Sequence, residues 1–559
     1  MKLKAIQVAL ACSSLLLLFQ NCAHNFSSQL LLQNSDSQTA AAEPLPVIQR
    51  TLDSNSRIVT RIANVLSWYS LPGQLNGQFW ADYNYVNHKN KGLNYPTIDP
   101  NLQIPAEAPQ VGSNDFYNLQ ELAAKIQLTS LQNAGFDVVS YDMLPNPCYV
   151  LPTNGQPFSS PTNEPLVYFE VFKLWLKEAN KLGMKIAIMV DDGNGVGSCA
   201  SSATQKTGIL DKEQWINALS GTLEAIANEP ALWTPWGKPA IFHFGTSIPS
   251  YQPDAAGQSP TVGLSPPDGG WDEVLTTLKK KYNFWFVADV QQTRLTDANF
   301  NKWSQIVGGA YIYAPGSPGT SVYQFQLEAQ KLLTIPFVWN INPGYYNPNV
   351  LAYTEPDFMR IHNEYMYAIQ SDQKIIQLLT WNDYAEDTNI QPSINKGNNL
   401  LNIFGFYNHW YATGGNQAPT LGESHIILAY PKQIPDKIQT SAVDWTNGGR
   451  VNPGWLSRPF AGHVFYWAYI TKNTTLSVPN IGEITWTAPG LYIGELGVAG
   501  VGPITAYVND KAMVLPPIQE TATEFTPGTQ PPTATPLSGG LEFRYLDLLA
   551  NPSSSFSYK

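Results

Sequence analysis

Asp383 and Glu386 stand three residues apart in the run Leu378-Leu379-Thr380-Trp381-Asn382-Asp383-Tyr384-Ala385-Glu386. Two carboxylates among aromatic rings and an amide are what cleavage of a glycosidic bond requires. One acid protonates the leaving oxygen, the other activates water or attacks directly, and rings stack on pyranose faces. Trp381, Asn382 and Tyr384 are the companions expected to touch a substrate. A second reading of the same acids is that they cap a following helix, accepting its free amide hydrogens. The preceding run, Lys374 to Leu379, is short, apolar and partly β-branched, and predicts a buried strand that ends where the acids begin.

The segment resembles the Trp-Asn-Asp-(Tyr/Trp)-Gly-Glu-Ser-His-Tyr-Ile signature of glycoside hydrolase family 71, the α-1,3-glucanases or mutanases. Trp381, Asn382, Asp383, Tyr384, Glu386 and Ile390 match it; Ala385, Asp387, Thr388 and Asn389 depart. It is also similar to the Trp-Asn-Glu-Trp-x-Glu-Gly-Thr-Gln-Ile-Glu-Pro counterpart of the family 99 endo-α-mannosidases, which Thr388, Ile390 and Pro392 echo. Gly237-Lys238-Pro239 resembles the Gly-Lys-Pro entry to the first family's fourth strand, and Phe337 to Tyr346 is loosely similar to its Val-Ser-Pro-Trp-Phe segment. The first third, with an insertion from Pro72 to Ser113, matches poorly. The resemblance implies a (β/α)8 TIM barrel followed by an antiparallel β-sandwich, and inverting cleavage of α-1,3-glucan without a cofactor. It makes Glu386 the acid and Asp383 the base, with the reversed assignment open. Two alternatives stand beside it: an endo-α-mannosidase-like hydrolase, and a non-catalytic glycan-binding surface lipoprotein on a decayed barrel.

The periodicity of the chain supplies the elements that would position these residues. Eight apolar strands alternate with helical patterns between about residues 60 and 390, the mark of a β/α barrel. The expected strands are 65–69, 136–142, 185–191, 239–244, 284–289, 310–313, 337–340 and the one ending at Trp381. Helices are expected at 119–133, 168–181, 211–227, 271–281, 298–306, 322–333 and 357–370. In such a barrel the chemistry sits at the carboxyl ends of the strands. That rule nominates Tyr69, Asp142, Asp191, Asp192, His243, Asp289, Tyr313 and Asn340 as pocket residues. An acid at a strand end is equally a helix cap or loop acceptor, and His243 equally a hydrogen-bonded core histidine.

Past residue 415 short alternating runs separated by Pro, Gly and Asn turns predict the sandwich over 416–518, with glycan binding or packing as uses for Trp467 and Trp486. A Pro/Thr/Gly-rich tail, 519–559, carries a possible last strand at Leu541 to Tyr545.

At the other end, Lys2 and Lys4 precede an apolar stretch centred on Leu15 to Phe19, and Cys22 follows. This resembles a bacterial lipoprotein signal over 1–22 with Cys22 lipidated; an ordinary secretory signal is the alternative. Residues 23–55 read as a flexible tether, and the catalytic barrel as 56–415. Export, with anchoring in a bacterial membrane or at the cell surface, makes a Cys148–Cys199 disulfide the default, because both cysteines fall in neighbouring loops; two unrelated buried thiols are the alternative.

A net charge of −11 with no basic stripe argues against nucleic acid, while 16 Trp and 28 Tyr at only 13% charged residues suit a polysaccharide partner. The seven histidines are scattered without metal-ligand spacing.

Overall fold

The computed structural model describes residues 59–66, 113–143, 164–191, 212–244, 271–289, 307–313, 335–347, 352–354, 358–383, 388–392, 396–415, 418–435, 462–521, 543–550 and 554–558, with Gln326 and Gln330. Tyr69, Asp192, Tyr384, Glu386, Cys22, Cys148, Cys199 and the expected helix over 298–306 lie outside them. The chain divides into two compact units. One comprises Pro46–Pro343, Met359–Gly422 and Asn551–Lys559; the other comprises Met1–Leu45, Gly344–Phe358 and Glu423–Ala550.

The first unit is built on eight parallel strands. These are β1 (Thr60–Leu66), β2 (Val138–Met143), β3 (Lys185–Asp191), β4 (Ala240–Phe244), β5 (Trp285–Asp289), β6 (Gly309–Tyr311), β7 (Trp339–Ile341) and, after the hairpin strands β8 (Tyr345–Asn347) and β9 (Ala352–Thr354) of the other unit, β10 (Ile375–Leu378). Their order is β6-β5-β4-β3-β2-β1-β10-β7. A parallel bridge between Ala310 and Phe337 joins the two ends, with Ala310 N–H donating to Pro336 O and Val338 N–H to Ala310 O at 3.0 and 2.9 Å. The sheet closes into a TIM-type barrel.

Helices α1 (Asn114–Asn133), α2 (Glu164–Leu182), α3 (Lys212–Ile226), α4 (Trp271–Lys279), α5 (Phe358–Gln370) and α6 (Asn399–Ala412) follow strands β1, β2, β3, β4, β9 and β10 in sequence. In α1 the Ser113 hydroxyl accepts from Phe116 N–H at 3.2 Å, satisfying one free amide of the first turn. The helix stops at Gly135, whose φ of +78° is favourable only for glycine and lets Phe136 N–H reach back to Leu131 O. Its buried residues recur at Phe116, Leu119, Ala123, Leu128 and Leu131, and they carry Gln120 and Gln127 inward with them. Among the described residues no helix is long and apolar enough to cross a membrane.

Alternation along the strands sorts the barrel interior from the helix-facing side. Ile62, Val138, Ala187, Ala240, Phe242, Trp285, Val287, Tyr311, Val338 and Ile375 form one buried cluster inside the amino-terminal half. Trp285 fits there because Gly308 and Gly309 offer no side chain; a β-carbon at either would lie 2.6 Å from its ring. Above this layer the inward positions turn polar. Asn64 Nδ2 donates to Met189 Sδ at 2.9 Å and Gln377 Nε2 to Ser140 Oγ at 2.9 Å, both across the interior.

The second unit holds a four-stranded antiparallel sheet, in the order β16 (Gly490–Ala499), β13 (Gly462–Ile470), β11 (His425–Pro431), β19 (Phe543–Asp547). A five-stranded sheet runs β12 (Gln433–Pro435), β18 (Lys511–Thr521), β17 (Gly502–Val508), β14 (Thr474–Val478), β15 (Gly482–Trp486), with only β12 and β18 parallel. One buried cluster draws on both sheets, including Ile426, Tyr466, Leu476, Trp486, Ile504 and Leu515. Trp467 and Trp486 are fully buried, so both pack and neither offers a ring to solvent. The expected last strand is realised at 543–547, paired to β11 and tied there by the buried contact of His425 Nδ1 with Asp547 Oδ2 at 2.7 Å.

Candidate active site

The segment that follows β10 is fastened at its base by its own residues. Trp381 N–H donates to Asn64 O of β1 at 2.7 Å, and Trp381 O accepts from Ile390 and Gln391 N–H at 3.1 and 2.8 Å. Thr380 and Thr388 share a hydroxyl–hydroxyl bond of 2.8 Å, and Asp383 N–H donates to Thr380 Oγ1 at 2.9 Å. Thr388 and Ile390 are thus the far side of a closed stem, and Asp383 lies on its near side. Asp383 is 7% exposed. The next described helix starts at Asn399 with Asn398 as its cap, so Asp383 does not cap it.

Two expected substrate contacts turn out to be positioning residues. Trp381 is fully buried and its indole N–H donates to Gln127 Oε1 of α1 at 2.8 Å. A ring enclosed by protein on all sides has no face for a sugar; the expectation is corrected. Asn382, 1% exposed, uses both ends of its amide on one residue of β1: Nδ2 donates to Leu66 O at 3.0 Å and Oδ1 accepts from Leu66 N–H at 2.8 Å. This clasp fixes the chain entering Asp383 to the carboxyl end of the first strand.

The strand-end candidates separate by register. Leu66 pairs Asp142, and Asp142 pairs Met189, an inward residue, so Asp142 points into the barrel. Asp289 pairs the inward Tyr311; its Oδ1 accepts from Tyr313 N–H at 2.8 Å, while Tyr313 Oη reaches Asn64 Oδ1 at 3.4 Å. Asn340 pairs Gln377 and shares its inward direction. Asp191 closes β3, with its side chain outside the described set. His243 is corrected: it alternates with the inward Phe242, pairs Val190 and Ala288, and packs its ring 5.7 Å from Phe286 on the helix-facing side. It is a core histidine.

Sequence reading missed Asn64, Ser140 and Gln377, which form a polar interior layer with the nominated Asn340. The available signal was a polar residue inside each of three apolar strand runs. It also missed Glu364 on α5, fully buried, whose Oε2 accepts from Asn342 N–H at the end of β7 at 2.7 Å. Burial pushes this carboxyl up to about 7, against the opposing pull of Arg360 and of the bonds from Asn342. A folded state that holds the proton more tightly than the unfolded chain is favoured below the ordinary value of 4.5, and that contribution is lost as pH rises through about 7. Glu364→Gln keeps an acceptor for Asn342 and carries no charge. Relative to the parent, its unfolding free energy should therefore improve by about 2–3 kcal/mol between pH 4.5 and pH 8. Urea unfolding at the two values checks this; a difference that does not change with pH would mean that Glu364 titrates normally.

Among the described residues no group of three or more His, Cys, Asp or Glu is placed to hold a metal ion. No family model matches the chain, and no curated protein matches it. Among solved structures it is similar to the family 99 endo-α-mannosidase from Bacteroides thetaiotaomicron, at 16% identity over 63% of this chain and 98% of that one, TM-score 0.41. It is also similar to the endo-β-1,4-mannanase from Thermotoga petrophila, at 10% identity over 72% and 95%, TM-score 0.38. A third is the endo-β-1,4-mannanase from Cellulomonas fimi, at 11% identity over 70% and 89%, TM-score 0.33.

Proposed function

We propose that the chain is an exported glycoside hydrolase that cleaves α-glycosidic bonds in a polysaccharide, α-1,3-glucan first among them. The observation that carries this reading is the place of Asp383. It follows the last barrel strand, on a stem clasped to the first, at the end of the barrel into which Asp142 and Asp289 point, with Glu386 three residues on in sequence. A barrel mouth of this kind concentrates carboxylates where a sugar ring would lie. In the proposed mechanism Glu386 protonates the departing oxygen and Asp383 orients the water that attacks the anomeric carbon from the opposite face, inverting its configuration. Anchoring through a lipid on Cys22 and a Cys148–Cys199 bridge belong to the same proposal.

An endo-α-mannosidase-like activity is the second reading, favoured by Thr388, Ile390 and Pro392 and opposed by Asp383 where that family carries glutamate. Reducing-end release from α-1,3-glucan compared with α-mannan separates the two. Proton NMR of the early product should show the β-anomer from α-glucan. First release of the α-anomer would mean retention and would favour the mannosidase-like reading; release from neither polymer would overturn both.

A further inference from the structure

The polar layer inside the barrel is satisfied on one side and not on the other. Toward β1, β2 and β3 its groups bond to one another: Asn64 Nδ2 donates to Met189 Sδ at 2.9 Å, and Ser140 Oγ accepts from Gln377 Nε2 at 2.9 Å. Toward β7 and β10 they do not. Among the described residues neither Nδ2 nor Oδ1 of Asn340 has a hydrogen-bond partner, and neither has Gln377 Oε1. Asn340 is 1% exposed and Gln377 0%. Buried polar groups without partners lose their hydration and gain nothing for it, so native proteins leave few of them.

These ends belong to one place. Asn340 and Gln377 are register partners on adjacent strands, and both face the barrel interior. Adjacent strands lie about 4.8 Å apart. Each residue is the last but one of its strand, β7 and β10, which sets the pair toward the carboxyl end of the barrel. From there β10 runs directly into the stem that carries Asp383. The backbone of Asn340 is held independently of its side chain: its N–H donates to Gln326 Oε1 at 2.7 Å, and its O accepts from Gln326 Nε2 at 3.2 Å. The amide is thus fixed in place before any ligand arrives.

A side-chain amide offers an acceptor and a donor on one rigid plane, and Gln377 adds a second acceptor. A ligand that answers them needs a hydroxyl to donate to Asn340 Oδ1, an adjacent oxygen to accept from Nδ2, and another hydroxyl for Gln377. Oxygens on neighbouring carbons of a sugar ring meet that requirement, whereas an apolar ligand meets none of it. We propose that Asn340 and Gln377 form the floor of the sugar subsite at the Asp383 end of the barrel, binding two adjacent ring oxygens and a further hydroxyl of the unit whose bond is cut. The ligand class rests on the glycosidase reading; the site rests on the three unpartnered amide ends.

The test is binding to full-length Asp383→Asn protein, measured by calorimetry with α-1,3-gluco- and α-manno-oligosaccharides and their monodeoxy derivatives. Adding Asn340→Leu should weaken binding of one series by about tenfold or more, and so should Gln377→Met. The second change also breaks the bond to Ser140, a loss common to free and bound protein, so the affinity still reads Oε1. Deleting the hydroxyl that Asn340 holds should cost the Asp383→Asn protein about tenfold, and the Asn340→Leu protein nothing more. The melting temperature should not fall with Asn340→Leu, because a buried amide without partners gives way to an apolar side chain. Asn340→Ala repeats the affinity measurement without the bulk of leucine. A lower melting temperature with unchanged affinity would make the amides parts of the fold alone and overturn the proposal. Deoxy effects that are the same with and without Asn340, or binding of neither series before Asn340 is changed, would overturn it too. Failure of the catalytic reading shows separately, as turnover that survives Asp383→Asn.

Discussion

Asp383→Asn is expected to lower hydrolysis of the true polysaccharide by about 10²–10⁴-fold while leaving the fold intact, and Glu386→Gln to do the same, since each removes a positioned proton carrier. The expectation for Asp383 has a structural footing. Its backbone is held by Thr380 Oγ1 and its predecessor by Leu66, and both anchors remain when an amide replaces the carboxylate. Circular dichroism and the melting temperature should match the parent. Wild-type turnover in both variants would remove these residues from the reaction.

Trp381→Ala should cost about 3–5 kcal/mol of unfolding free energy, the range for deleting a large buried ring. The loss has two parts: the cavity left between β10 and α1, and the Gln127 carbonyl oxygen deprived of the indole N–H at 2.8 Å. Trp381→Phe restores most of the volume but not the bond, and should recover about half of the loss. Urea denaturation of the three proteins distinguishes the parts. An alanine variant as stable as the parent would show that the ring is not a core element after all.

The two Trp381 readings show where sequence reasoning stops. A tryptophan beside paired acids has the same residue type whether it stacks on a sugar or plugs the barrel wall. The deciding fact is Gln127, which comes from a helix more than two hundred residues earlier and shares no local pattern with it. His243 failed for a different reason: alternation in β4 tells inside from outside only once the register to Val190 and Ala288 is known. Strand β3 was legible to the residue, an unbroken apolar run from Ile186 to Val190 bounded by Lys185 and Asp191. Strand β1 was placed too late, at 65–69 against the observed 60–66, because Arg61 and Asn64 interrupt its apolar run. Asn64 is tolerated inside because Met189 and Ser140 accept from its amide. Helix α6 escaped notice since nearly every side of it is buried, which leaves no polar face to mark a period. The strand-ending acids Asp142 and Asp289 could be nominated because a barrel's carboxyl ends can be counted from its strands, and their register turns both inward. Glu386 and Tyr384 remain readings of sequence alone.

The pairing of Thr60 with Ile375 and the clasp of Asn382 on Leu66 also set a timetable. A nascent chain emerging from the ribosome gains β2 on one side of its first barrel strand early, but carries the other side for more than three hundred residues before β10 is made. Contacts of such separation are among the slowest to form, because a long loop must close before either end gains anything. Asp383 is tethered to that last closure. A partly synthesised or truncated barrel therefore lacks the clasp that orders its acid, and hydrolytic competence would arise only when the first and final strands have met.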